Sequence, residues 1–140
     1  MAVGFASALA WVLEQQPQLS ERSQSFQQQI LERLQMMEGF FLNGDPEYLL
    51  PNTLNVGFQG LSAETLLISL DLDGVAVSTG SACSSGALEP SPVLLAMGLT
   101  PTAARSCLRL SWGWQTTQAD IDVLLERLPH HVQRLREKQK

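Results

Sequence analysis

The first forty residues show two apolar patterns that predict helices. Six apolar residues lie at helical spacing before Pro17, namely Val3, Phe5, Ala8, Trp11, Val12 and Leu13. They predict a helix over residues 3–16 that ends at the proline. A second helix is predicted from Ser20, a favourable N-cap, to about residue 37, because apolar residues recur every three or four positions before Gly39. The first helix is apolar almost all round, so it is either a core helix or a helix that docks on a partner domain.

Alternation with a period of two predicts the strands. Residues 53–58 alternate apolar and polar side chains, as a half-buried strand does. A shorter β-type run covers residues 75–77 and ends at a Gly/Ser-rich loop. Residues 106–111 alternate as well, and they place two leucines on one face and Cys107 and Arg109 on the other.

Cap signals predict helices between and after these strands. The N-cap residues are Ser62, Ser91, Thr100 and Thr117. Two of them are followed at once by proline, and the last has an aspartate three residues later, as in a capping box. Pro129 is expected to kink or restart the final helix. Three short strands interleaved with helices predict an α/β fold, in which helices pack on a short, mostly antiparallel three-stranded sheet.

The composition narrows the class of protein. The chain has 140 residues, of which 44% are hydrophobic and 16% charged, as expected for one compact globular domain. A formal net charge of −5 argues against nucleic-acid binding, which needs clustered Lys and Arg. The apolar N-terminal run is too short to span a bilayer and lacks the charged region of a secretory signal. We therefore expect a cytoplasmic protein with free thiols that does not bind membranes.

One loop concentrates the chemistry of the chain. Residues 78–90 read Ser-Thr-Gly-Ser-Ala-Cys-Ser-Ser-Gly-Ala-Leu-Glu-Pro, so that Cys83 lies among small and flexible residues. Cysteine is usually buried among apolar neighbours, whereas this composition suits a thiol that moves and can be reached. A nucleophilic thiol also needs a neighbour that favours the thiolate, and the loop itself holds no cation. Local composition leaves a reactive Cys83 and an inert loop cysteine equally open.

Four other residues are candidates for chemistry. Cys107 has apolar strand neighbours and is predicted to be a small core residue. Arg109 is either a member of a structural ion pair or a bidentate ligand of a carboxylate. His130 and His131 are neighbours on a predicted helix and do not share a face, so we expect surface histidines and no metal site.

Residues 78–91 resemble the cysteine-bearing loop of cysteine desulfurases of the NifS/IscS group. The likeness extends over essentially the whole chain, through the runs Asn43-Gly44-Asp45, Pro51-Asn52-Thr53-Leu54-Asn55-Val56 and Ser106-Cys107-Leu108-Arg109-Leu110-Ser111. These enzymes belong to class V of the fold-type I pyridoxal-phosphate enzymes. The resemblance implies that residues 39–140 form a C-terminal small domain with the catalytic loop 78–90. It also implies that residues 1–38 are connecting helices that dock between domains.

The same resemblance implies a role for several residues. Cys83 takes the position of the nucleophile that removes sulfur, as a persulfide, from L-cysteine bound to pyridoxal phosphate, and alanine is released. Cys83 is also a candidate transient ligand of an iron–sulfur cluster, and no resident metal is implied. Arg109 matches the arginine that binds the substrate carboxylate, and Gly80, Ser81 and Ser84 support the loop. The implied partners are a sulfur-accepting scaffold protein of iron–sulfur or thio-cofactor assembly and a second copy of the enzyme.

One part of the family pattern has no counterpart in this sequence. The lysine that holds the cofactor belongs to the large domain of these enzymes, and the only lysines in this chain are Lys138 and Lys140. We therefore expect pyridoxal phosphate to be bound by a large domain or by a full-length desulfurase. The chain alone is then inactive. A non-enzymatic persulfide carrier and an inactive fragment are the alternatives.

Overall fold

The computed structural model describes residues 2–79 and 90–139. In chain order the elements are α1 (Ala2–Gln35), β1 (Phe40–Asn43), a 3-10 turn (Pro46–Tyr48), β2 (Thr53–Phe58), α2 (Ala63–Asp71), β3 (Ser78–Thr79), α3 (Pro92–Ala96), α4 (Pro101–Ala104), β4 (Cys107–Ser111) and α5 (Gln118–Glu137). Helices pack on an antiparallel sheet, so the predicted α/β class is confirmed.

Within residues 2–79 and 90–139 the sheet has four strands, so the predicted count of three is wrong. Its order is β1-β2-β4-β3, with every neighbouring pair antiparallel. The missed strand is β1, which follows Gly39 at a positive φ of 63° and pairs with β2 from Phe40 opposite Phe58 to Asn43 opposite Asn55. Only four residues long, it shows no clear alternation in the sequence.

The strand predicted at residues 75–77 is displaced. Pairing with β4 begins only at Ser78, which lies opposite Arg109, and continues at Thr79. Val75 and Val77 are partly buried against the core, so their apolar character reports packing and not strand pairing. The predicted strands β2 and β4 are confirmed at their predicted positions.

One face of the sheet forms the main core. Leu54, Val56 and Phe58 of β2 and Leu108 and Leu110 of β4 are all buried there. The helices contribute Phe26, Ile30 and Leu34 from α1, Leu66 and Leu70 from α2, and Ile121, Leu128 and Val132 from α5. Burial of this apolar surface is the main favourable term in folding.

Helix α1 is a single helix of 34 residues, so the predicted break at Pro17 is wrong. Proline removes one backbone donor and disturbs the carbonyl four residues earlier, but here the surrounding helix is exposed and water can satisfy that carbonyl. The buried residues of α1 all lie in its C-terminal part. Residues 2–14 are exposed throughout, and the ring of Trp11 within this half meets that of Trp114 edge-on at 5.6 Å.

Helix α5 begins with the predicted capping box. The Thr117 side chain accepts from the Asp120 backbone N–H, and the Asp120 carboxylate accepts in return from the Thr117 backbone N–H. Pro129 lies inside this helix, which neither stops nor restarts there. Across the described ranges, no helix combines the length and hydropathy needed to cross a membrane.

A second, smaller apolar cluster lies on the opposite face of the sheet at one end. It consists of Leu94 of α3, Ala104 of α4 and Cys107 of β4, with Phe41 and Leu99 packed against them. Helices α3 and α4 therefore cover part of the second face, and the remainder of that face is polar.

Candidate functional site

Four polar side chains form one row across the second face of the sheet. Asn43 of β1 lies opposite Asn55 of β2, Asn55 lies opposite Arg109 of β4, and Arg109 lies opposite Ser78 of β3. Residues directly opposite in antiparallel strands share a face, with Cβ atoms about 5 Å apart. Arg109 alternates with two buried leucines of β4, so the row, which we call the polar row, faces away from the main core.

Arg109 is the cation of the polar row. Arg109 is exposed, and within residues 2–79 and 90–139 it forms no ion pair. Its neighbours in the polar row are two amides and a hydroxyl, none of which carries charge. Because arginine remains protonated and presents a planar fork of donors, this position favours a planar anion such as a carboxylate.

Asn43 and Asn55 are joined by a short hydrogen bond. Asn43 Nδ2 donates to Asn55 Oδ1 at 2.6 Å and lies 3.2 Å from Cys107 Sγ, to which it also donates. Asn43 is buried and Asn55 is half-buried. The asparagine pair therefore extends from the small apolar cluster to the exposed part of the polar row.

Cys107 is a core cysteine, as predicted. Its side chain is 1% exposed, and its Sγ donates to the Ala103 carbonyl oxygen at 3.2 Å. Burial raises the pKa of the Cys107 thiol above its ordinary value, against the opposing effect of its hydrogen bonds with Asn43 and Ser106. A buried, protonated thiol is a poor nucleophile, so Cys107 is no competitor for the role assigned to Cys83.

The predicted loop residues Gly80, Ser81, Cys83 and Ser84 lie outside the described residues, and their roles stay predictions. The structure does place the start of their loop. Strand β3 pairs with β4 so that Ser78 is opposite Arg109, and the described chain continues to Thr79, four residues before Cys83. The two predicted functional positions are thus connected through adjacent strands.

Sequence reasoning missed one polar cluster, and its expectation that both histidines lie on the surface is wrong for His131. His131 is 4% exposed; its Nε2 lies 3.0 Å from Asp73 Oδ2, and Arg134 donates to its Nδ1 at 3.1 Å. Arg127 also pairs with Asp73 at 3.0 Å. The hydrogen bond from His131 is the main cause that lowers the Asp73 pKa. His131 lies three residues after the buried Leu128, so the two side chains share the inner face of α5. This spacing is the signal in the sequence that could have predicted the burial of His131.

The described residues do not offer an anchor for pyridoxal phosphate. A covalent link needs a lysine, and the lysine that the structure describes, Lys138, lies at the C-terminal cap of α5, where it is exposed. Among the same residues there is also no group of three His, Cys, Asp or Glu side chains that could hold a metal ion.

The family model for class-V aminotransferases matches residues 1–124, and the chain belongs to that family. The resemblance to NifS/IscS proteins is confirmed as well. A protein named cysteine desulfurase IscS 1, from Archaeoglobus fulgidus, is 40% identical over 134 residues, which cover 96% of this chain. Among solved structures, a NifS-like protein superimposes with a TM-score of 0.81 at 26% identity over 95% of this chain.

A second solved structure supports the fold. The NifS-like protein of Rickettsia africae ESF-5 gives a TM-score of 0.80 at 24% identity over 93% of this chain. The matched proteins are all much longer than this chain. This chain spans 35% of the Archaeoglobus protein and 33% of each of the two structures, so it corresponds to about a third of these relatives.

Proposed function

We propose that this chain is the portion of a cysteine desulfurase that carries the sulfur-accepting cysteine and the arginine for the substrate carboxylate. The observation that carries the proposal is the pairing of β3 with β4, which sets Ser78, at the start of the cysteine loop, opposite Arg109. The membership of the family and the names of its relatives support the same activity.

In the proposed reaction, Cys83 acts as the nucleophile and Arg109 holds the substrate. The Cys83 thiolate attacks the sulfur of L-cysteine, an S–S bond forms, and the C–S bond of the substrate breaks. The electron pair of that bond remains on carbon, which takes up a proton and leaves as alanine, while the sulfur stays on Cys83 as a persulfide. Arg109 binds the carboxylate bidentately and so fixes the position of the sulfur relative to the loop. Gly80, Ser81 and Ser84 support the loop that carries Cys83, as the family resemblance implies.

The cofactor and the sulfur acceptor come from other polypeptide segments. Pyridoxal phosphate stabilises carbanions, and the described residues hold no lysine on the polar row to bind it, so we assign its anchor to a large domain or to a full-length desulfurase. The acceptor is a scaffold or carrier protein that takes the persulfide sulfur in the cytoplasm. By family resemblance the assembled enzyme is a homodimer.

The exposed half of α1 is the proposed contact with that large domain. Large apolar side chains there remain in water, including Val3 at 79% exposure and Phe5 at 73%. An unpartnered apolar helix of this kind is unusual on a globular surface and marks an interaction site. We accordingly assign residues 1–38 to the connection between domains and residues 39–140 to the small domain.

The test is sulfur transfer from isotopically labelled L-cysteine to the chain assembled with a polypeptide that bears pyridoxal phosphate. We expect label on the wild-type chain, none on Cys83→Ser, and label on Cys107→Ser, which is the matched control because that thiol is buried. Circular dichroism establishes that each variant is folded. Equal label on the wild type and on Cys83→Ser would refute the proposal.

The same assay separates the enzyme from a persulfide carrier. Label that appears only when the cofactor-bearing polypeptide is present supports the desulfurase. If Cys83 takes label from a small-molecule persulfide, and the assembled complex takes none from L-cysteine, the chain is a persulfide carrier instead.

A further inference from the structure

The hydrogen bond between the two asparagines fixes the orientation of the Asn55 amide. Asn55 Oδ1 accepts from Asn43 Nδ2 at 2.6 Å, so the oxygen end of the amide points towards β1. Asn43 is itself 8% exposed and donates to Cys107 Sγ, which anchors it in the small apolar cluster. The amide of Asn55 is therefore held in place by its hydrogen bond from the buried Asn43.

This orientation leaves the donor end of Asn55 open. Its Nδ2 has no hydrogen-bond partner in the described ranges, and the residue is only half-buried. Asn55 lies directly opposite Arg109 on the same face of the sheet. An amide N–H donor and a guanidinium therefore occupy adjacent strands on one accessible surface.

The choice of an amide at position 55 also matters for charge. An aspartate has nearly the same shape, but it would stand opposite Arg109 as a cross-strand ion pair and neutralise it. Asparagine places no counter-charge opposite Arg109 and adds a donor. A carboxylate has two oxygens with about four acceptor sites, so it can accept from a guanidinium and from an amide at once.

We propose that Asn55 Nδ2 is a second hydrogen-bond donor to the substrate carboxylate bound by Arg109, and that Asn43 is the positioning residue that holds the Asn55 amide in the donating orientation. The assignment rests on the proposed carboxylate role of Arg109. It adds a specific recognition element for an α-carboxylate to the polar row.

The assignment is tested by NMR on the full chain, with L-alanine as the probe and ethylamine as the matched compound that lacks the carboxylate. Two signals are followed, the side-chain amide of Asn55 and the Nε–H of Arg109. We expect both to shift with L-alanine and neither to shift with ethylamine. The Asn55 response should disappear in Arg109→Gln.

Variants then measure the strength of the contact. Loss of one hydrogen bond to a charged group in Asn55→Ala should weaken L-alanine binding roughly 10- to 100-fold. Asn55→Asp should weaken it further, because the new carboxylate repels the probe and pairs with Arg109. Asn43→Ala leaves the Nδ2 of Asn55 in place but no longer fixes the orientation of that amide. It should therefore weaken L-alanine binding less than Asn55→Ala does. Thr53→Val is the control. Thr53 lies on the same strand two residues from Asn55, and its hydroxyl lies 3.5 Å from that of Ser111, outside the polar row.

In the assembled enzyme these changes should appear in KM for L-cysteine more than in kcat, because the carboxylate is bound equally before and during the reaction. A shift of the Arg109 signal with L-alanine but none of the Asn55 amide, together with unchanged binding in Asn55→Ala and Asn55→Asp, overturns the Asn55 assignment and leaves Arg109 in its role. A silent Arg109 signal overturns both.

Discussion

The two faces of the central sheet are built from alternate residues of the same strands, yet they serve different purposes. In β4, Leu108 and Leu110 are buried in the main core, whereas Arg109 between them and Ser111 after them are exposed. In β2, Leu54 is likewise fully buried. The apolar face stabilises the fold. The polar face carries Arg109 and Ser111, which lie outside the main core and which we therefore expect to add little stability.

The polar face is itself divided between a covered end and an open row. Cys107 lies two residues from Arg109 on the same face, but α3 and α4 contribute side chains that cover it. Asn43 bridges the division, since it bonds Cys107 on one side and Asn55 on the other. The covered end is thus hydrogen-bonded to the open row through Asn43.

The sharpest test of the contrast between faces compares neighbours in β4. Leu108→Ala removes a fully buried side chain from the main core, so we expect a loss of about 2–5 kcal/mol in the free energy of unfolding. Arg109→Gln, one residue away on the exposed face, should change it by less than about 0.5 kcal/mol. Urea denaturation followed by circular dichroism measures both. A large loss in Arg109→Gln would show that Arg109 is a structural residue.

A second test lies where the polar face becomes apolar. The ring of Phe41 lies over Gly57, so closely that an added Cβ would overlap it. In an unobstructed strand, Gly→Ala gains roughly 0.5–1 kcal/mol, but overpacking costs about 1–3 kcal/mol, and we expect the cost to prevail. Thermal denaturation measures the change. Gly113→Ala is the matched control, because no atom lies within 4 Å of its added Cβ. A gain in Gly57→Ala would mean that Phe41 swings away freely.

The elements that the sequence predicted correctly are those whose signal is local. The side chains of β2 and β4 alternate with a period of two. Helix α5 begins with a capping box formed by Thr117 and Asp120, which are three residues apart. The errors arise where distant contacts decide the outcome. Strand β1 forms because it pairs with β2. Pro17 is an error of a different kind, because α1 is exposed there and water can satisfy the carbonyl that the proline leaves unbonded.

The candidate site shows the same limit. The resemblance predicted that Arg109 binds a carboxylate, but no pattern in the sequence joins Asn43 to Asn55, since their contact depends on the register of two strands. Burial of His131 likewise depends on Asp73, which lies 58 residues away. Cross-strand and cross-layer polar contacts are therefore the part of the site that the structure adds.

A third prediction concerns the helix that closes the apolar face. Thr117→Ala removes the cap that satisfies a backbone N–H at the start of α5, so we expect a loss of about 0.5–2 kcal/mol in the free energy of unfolding. Glu126→Ala, at an exposed position of the same helix, is the control and should change little. Guanidinium denaturation measures both variants. Equal stability of Thr117→Ala and the wild type would mean that packing alone fixes the start of α5.

The smallest expected effect concerns the turn that leads into β3, and it depends on pH. The hydrogen bond from His131, followed by the charge of Arg127, lowers the pKa of Asp73 in the folded chain. A carboxyl whose pKa is lowered by folding adds stability above its unfolded pKa, and that contribution is lost as the pH falls through the folded value. We therefore expect Asp73→Asn to be less stable than the wild type near neutral pH, and the difference to shrink as the pH falls below about 4. Denaturation midpoints over this range measure it. Leu72→Ala, an exposed and uncharged change in the same turn, should give a difference that does not vary with pH. If the Asp73→Asn difference stays constant down to the lowest pH at which the chain folds, the ion pair does not hold this turn against α5, and the position of β3 beside Arg109 depends on strand pairing alone.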